Sequence, residues 1–159
     1  MKRIALLVLA LAVNVIAEEI ETIQQVATNF ETDVETIQIC LSEAGTTVEE
    51  MHIAKQKWQE IKADESIDEE TKESFTIHGR FIACILEKKD MMKDSKLVLD
   101  KILEEIDKEP NGSKVSKEGI TKCVNSLNEN VEMTREDRVF GFIRCYYALL
   151  TNSQTKDKK

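Results

Sequence analysis

The side chains in this sequence best able to do chemistry are four cysteines, Cys40, Cys84, Cys123 and Cys145, and two histidines, His52 and His78. A thiol can act as a nucleophile, a metal ligand, half of a disulfide or a small buried hydrophobe. Zinc sites draw on cysteines in close pairs such as C-x-x-C, whereas at least 21 residues lie between any two cysteines here. A nucleophilic thiol needs an activating base, and neither histidine stands in a recognisable protease signature. No catalytic residue, metal ligand or cofactor follows from these residues. Four cysteines in a short secreted chain read as two disulfides, and the sequence alone leaves three pairings open.

The secreted context comes from the first residues. Met1-Lys2-Arg3 is a basic start, Ile4 to Val13 is almost unbroken apolar sequence, and Ala17 precedes Glu18. That order is expected of a secretory signal peptide over residues 1–17. The apolar run is too short to cross a bilayer, which takes about 20 residues, so no membrane insertion is expected. Beyond Ala17 the chain holds 20 Lys and Arg against 30 Asp and Glu, a net charge of −10. Phosphate backbones and anionic membranes demand positive charge, so nucleic acid is not an expected partner. The length fits one domain, expected over residues 18–150, followed by a polar, disordered tail over residues 151–159.

The elements that must position the cysteines are helical. One Pro, five Gly and abundant Glu, Lys, Leu and Ile favour helix, and no strand-like alternation competes. Ile20, Ile23, Ala27, Phe30, Val34, Ile37, Leu41 and Ala44 step by three or four, which predicts one long amphipathic helix carrying Cys40 and stopping at Gly45. Thr47-Val-Glu-Glu50 has capping-box spacing ahead of a stripe of Met51, Ala54, Trp58 and Ile61. Ser66-Ile-Asp-Glu69 repeats that spacing ahead of Phe75, Phe81, Cys84 and Ile85. Leu97, Leu99, Ile102, Leu103 and Ile106 predict a fourth helix, and Ile120, Cys123, Val124, Leu127 and Val131 a fifth. Thr134-Arg-Glu-Asp137 caps a sixth, apolar on nearly every side from Val139 to Leu150, which marks it as buried or as shared between core and ligand. The expected fold is all-α, a bundle of about six helices.

The stretch Asp107 to Glu118, "DKEPNGSKVSKE", approaches an EF-hand calcium loop, with acidic, Asn and Gly residues at several of the required positions. Three features oppose that reading. Glu109 crowds a place shaped for Asp, Pro110 restricts the turn, and Lys114 replaces the apolar residue that pairs two such loops. Pro-Asn-Gly-Ser reads instead as an interhelical turn, and Asn111-Gly-Ser113 as a sequon for N-glycosylation at Asn111.

Together these segments resemble the insect odorant-binding proteins, the pheromone-binding and general-odorant-binding (PBP/GOBP) family, over roughly Val34 to Leu150. "CLSEAG" (Cys40–Gly45) is similar to the segment around the family's first cysteine, and "RFIACILEKKDMM" (Arg80–Met92) to that around its third. Cys123 matches the fourth, and "DRVFGFIRCYY" (Asp137–Tyr147) resembles the run into the sixth at Cys145. Most members carry six cysteines. Here the second and fifth positions fall on Arg80 and Glu136, as in the four-cysteine, or Minus-C, subgroup. The resemblance implies the pairing Cys40–Cys84 and Cys123–Cys145. The stretch between Cys40 and Cys84 is longer than the family's usual one, and the extra length is expected between Trp58 and Glu73. The opposite charges at the two vacated cysteine positions suggest a salt bridge between Arg80 and Glu136, with unrelated surface charges as the alternative.

The resemblance also implies a function. The family's members carry small hydrophobic ligands in an apolar cavity and do no chemistry on them, with a chemosensory receptor as a possible further partner and a monomer or weak homodimer as the assembly. The candidate ligand contacts on the third and fourth helices are Phe81, Ile85, Leu103 and Ile106. Those on the fifth and sixth are Val124, Leu127, Phe142, Tyr146 and Leu149. Each could equally be ordinary core. His78, one turn before Phe81, could act as a pH switch for release, against the plainer reading of a surface histidine. A secreted helical signalling protein would share the cysteines and acidity but would lack a cavity. A secreted phospholipase would need a His-Asp pair beside a calcium loop, and neither is present.

Overall fold

Asp33 divides what the periodicity reads as one helix. Its carboxylate accepts from the backbone N–H of Thr36 at 2.7 Å, an N-cap that starts a new helix. Just before it, Glu31 takes a left-handed φ of 49°, and Thr32 N–H reaches back to the carbonyl of Ala27 at 3.0 Å. That pattern ends a helix. Ile23 and Ile37 both face the core although the chain bends between them, so the apolar spacing carries across a break that it cannot reveal.

The computed structural model describes residues 22–60, 68–108 and 115–156, without the side chains of Lys55 and of residues 57–60 and 151–156. Within them lie α1 (22–29), α2 (Val34–Ala44), α3 (Val48–Glu60), α4 (Glu69–Lys88), β1 (Met92–Lys93), β2 (Lys96–Leu97), α5 (Leu99–Lys108), α6 (Lys117–Glu129) and α7 (Arg135–Lys156). The fold is all-α, with seven helices among the described residues rather than about six. The expected signal peptide, the Asn111 sequon, half of the calcium-like loop and much of the segment expected to hold extra length lie outside the described residues.

Local chemistry sets the boundaries. α2 stops at Gly45, whose φ of 70° suits glycine. The capping box of α3 forms in both directions: Glu50 N–H donates to Thr47 Oγ1 at 3.2 Å, and Thr47 N–H donates to Glu50 Oε2 at 3.0 Å. α4 begins later than the Ser66 spacing suggests, because Asp68 is its N-cap and accepts from Thr71 N–H at 2.7 Å. Leu97 does not open a helix. It closes a hairpin in register with Met92, and the turn residues Asp94 and Ser95 both have positive φ. Asn128 clamps this hairpin by bonding both the N–H and the carbonyl of Leu97 at 2.9 Å. Val131 lies beyond α6 and is 91% exposed. α7 continues to Lys156, into the stretch expected to be a disordered tail.

α4 is the central helix and packs on α2, α3 and α7. One core cluster surrounds Cys40, Cys84, Ile37, Phe81 and Ile85, and a second holds Ile102, Ile120, Val124 and Val139. Each fully buried aliphatic side chain contributes roughly 1.5–3 kcal/mol. The disulfides tie the same elements. Cys40–Cys84 joins α2 to α4 with a Cα–Cα distance of 5.5 Å, and Cys123–Cys145 joins α6 to α7 at 6.5 Å. Arg138, 4% exposed, donates to the carbonyls of Leu127 at 3.0 Å, Asn130 at 2.8 Å and Ser95. It supplies the positive charge that the last turn of α6 lacks.

The expected Arg80–Glu136 salt bridge does not form among the described residues. Arg80 is exposed, and Glu136 accepts instead from Arg135 Nε at 3.0 Å. The residue that does reach Glu136 from α4 is Gly79: a β-carbon there would lie 3.1 Å from Glu136 Cβ. This places backbone against backbone and leaves the Arg80 side chain on the outer face. The ionic link between α4 and α7 comes from Arg135, whose guanidinium binds Glu87 of α4 at 2.9 Å and Glu43 of α2 at 2.7 Å.

Candidate ligand cavity

Two lobes open side by side between α1, α3, α4, α5 and α7. Each lobe has a volume of about 420 Å³, within the usual range of small-molecule sites. Asn29, Phe30, Phe142, Tyr146 and Tyr147 line both lobes and form their common wall.

The first lobe is largely apolar. Val26 comes from α1, Val48, Met51 and His52 from α3, His78, Phe81 and Ile82 from α4, and Ile143 from α7. Phe30 and Phe81 meet edge to face, with centroids 5.9 Å apart, a favoured aromatic geometry. The Cys40–Cys84 bridge sits three residues from Phe81 and fixes α4 against α2, so this wall is held from behind. The second lobe takes Ile85, Leu86 and Met91 from α4 and the turn after it, and Ile102 and Ile106 from α5.

The second lobe also has a charged end made of Glu31, Lys89 and Glu105. Lys89 Nζ donates to the carbonyl of Phe30 at 3.0 Å and to Glu105 Oε1. Glu105 Oε2 accepts from Lys108 at 2.8 Å. The hydrogen bonds from Lys108 and Lys89 outweigh partial burial and hold the Glu105 carboxyl below its ordinary range.

Of the nine residues singled out from the sequence, Phe81, Phe142 and Tyr146 line the first lobe, and Ile85, Ile106, Phe142 and Tyr146 line the second. The other four line neither. Val124 is fully buried, and Leu103 packs on the second core cluster. Leu127 and Leu149 fill the space that two glycines leave between α6 and α7. A β-carbon on Gly141 would lie 2.6 Å from Leu127 Cδ2, and one on Gly119 2.7 Å from Leu149 Cδ2. Helical spacing marks an apolar face, and it does not distinguish the part that meets another helix from the part that meets a void.

Sequence reasoning missed Val26, Phe30, Met51, His52 and Lys89. Phe30 read as part of the apolar stripe of one long helix and Lys89 as a helix-end lysine, and their approach depends on a hydrogen bond across 59 positions. His78 is half-buried on the wall of the first lobe, and His52 is exposed beside it. Among the described residues no cluster of His, Cys, Asp and Glu could hold a metal ion, and no helix is long and apolar enough to cross a membrane.

Comparison with curated proteins and with solved structures gives no match. The sequence model of the PBP/GOBP family matches residues 24–148, a span that contains both disulfides and the residues that line the cavity. Its two bridges are consistent with the four-cysteine, Minus-C type, and the chain belongs to the PBP/GOBP family.

Proposed function

We propose that this protein is a secreted carrier for small hydrophobic molecules such as odorants, pheromones or other lipophiles, held in the two lobes. The carrying observation is the wall shared by both lobes, where Phe30, Phe142 and Tyr146 present aromatic surface to a space no other side chain fills. Desolvating an apolar ligand there is favourable by about 25 cal/mol per Å² buried. No reaction is required of the protein. Membership of a family of binding proteins and the signal-like residues 1–17 support the reading.

The disulfides support it further. A cavity leaves its walls without packing partners, which weakens a fold. Chain entropy gives the Cys40–Cys84 bridge about 4 kcal/mol and Cys123–Cys145 about 3.4 kcal/mol of compensating stability. Mass spectrometry of lipids that copurify with the secreted protein tests the proposal. A small lipophile released in stoichiometric amount is the expected result. A protein free of lipid that also fails to take up any added lipophile overturns it.

A further inference from the structure

The charged end of the second lobe has a donor and acceptor pattern of its own. Lys89 carries three N–H donors, and two are directed at the Phe30 carbonyl and at Glu105. Glu105 receives one hydrogen bond on each oxygen, from Lys89 and from Lys108. A carboxylate has about four lone-pair sites, so acceptor capacity remains. The pair therefore offers both a donor and an acceptor at the edge of an apolar lobe. Its charges are balanced: Lys89 and Lys108 face Glu105, with Glu31 on the same wall.

We propose that the Lys89–Glu105 pair anchors the polar head of the ligand and selects an uncharged long-chain alcohol over the corresponding carboxylic acid. This rests on the carrier reading above and names the ligand class for that site. A hydroxyl accepts from Lys89 and donates to Glu105 at once. An ether accepts only. A carboxylate accepts from Lys89 but cannot donate to Glu105, and because Lys89 and Lys108 already balance Glu105 and Glu31 it adds an unneutralised charge to a partly desolvated site. From this anchor the alkyl chain lies against the aromatic wall of Phe142 and Tyr146 that the second lobe shares with the first.

The test is displacement of bound N-phenyl-1-naphthylamine from the full chain by tetradecanol, tetradecanoic acid and methyl tetradecyl ether at neutral pH. The alcohol should bind about tenfold or more tightly than the acid, the worth of one hydrogen bond to a charged group. Glu105→Gln should narrow that ratio by improving the acid and weakening the alcohol. A purely structural Glu105 would change all three ligands together, and that result overturns the anchor. Equal affinity of wild type for alcohol and acid overturns it without any variant. Failure of the probe itself to bind removes the carrier reading and this one with it, so the two failures are distinguishable.

Discussion

Gly79 of α4 lies so close to Glu136 of α7 that a β-carbon at position 79 would stand 3.1 Å from Glu136 Cβ and 3.2 Å from its carbonyl oxygen. Backbone cannot yield as a side-chain tip can. Gly79→Ala should therefore destabilise the protein by about 1 kcal/mol, because overpacking at roughly 1–3 kcal/mol outweighs the better helix propensity of alanine at about 1 kcal/mol. At Gly119 the close contacts of the new methyl group are with the end of the Leu149 side chain, which can turn aside. Chemical denaturation of both variants checks the contrast; a more stable Gly79→Ala protein would show that α4 and α7 can part at no cost.

Arg135 joins the first turn of α7 to α2 and α4 through Glu43, Glu87 and Glu136, and these carboxylates raise its pKa above the usual guanidinium range, Glu43 most of all. Removing it leaves three acidic side chains facing one another. Arg135→Ala should cost about 1–3 kcal/mol, the scale of breaking a partly buried charged network. Arg135→Lys should recover only part, since a lysine lacks the planar fork that reaches several carboxylates. Thermal melts at low and high salt measure this, and a neutral Arg135→Ala substitution would contradict it.

Acid should weaken the fold. Glu105 and Glu136 both have carboxyls held below the ordinary value: Glu105 by Lys108 and Lys89, and Glu136, despite the upward push of burial, by its own backbone N–H and Arg135. A depressed folded pKa contributes stability that is present above the unfolded value of about 4.3 and is lost as pH falls through the folded value. Denaturation midpoints should hold from neutrality to about pH 5 and drop below about pH 4. A midpoint unchanged between pH 5 and pH 3 would count against it.

Replacing the cysteines in pairs should separate the two bridges. Loss of Cys40–Cys84, which closes the longer loop, should cost about 4 kcal/mol, and loss of Cys123–Cys145 about 3.4 kcal/mol. The functional cost should differ more than the stability. The first bridge stands behind Phe81, while the second ties α7 to α6, a helix that gives no residue to the lining of either lobe. Probe affinity measured beside stability tells the two apart, and an equal loss of affinity would show that the bridges do not act locally.

Most helices were legible because their apolar stripes and caps are local: Thr47 with Glu50 and Thr134 with Asp137 act within one turn. Asp33 was hidden because the buried stripe runs through it unbroken. The Met92–Leu97 hairpin was hidden because it has only two pairs of residues, too short for any periodicity. At the cavity, the sequence marked which faces are apolar, but whether Leu127 or Leu149 meets a void or a helix depends on a glycine in the partner helix. Arg135 was unreadable as a hub, since its partners lie 92 and 48 positions away.

The most direct measurement is binding of N-phenyl-1-naphthylamine to the delipidated full chain, in wild type and in Ile143→Trp, which fills the first lobe from α7. Wild type should bind the probe saturably with a blue-shifted emission, and Ile143→Trp should bind at least several-fold more weakly while keeping its helical circular dichroism and melting temperature. No saturable binding by wild type, or equal binding by a folded Ile143→Trp, would show that this cavity does not carry hydrophobic ligands.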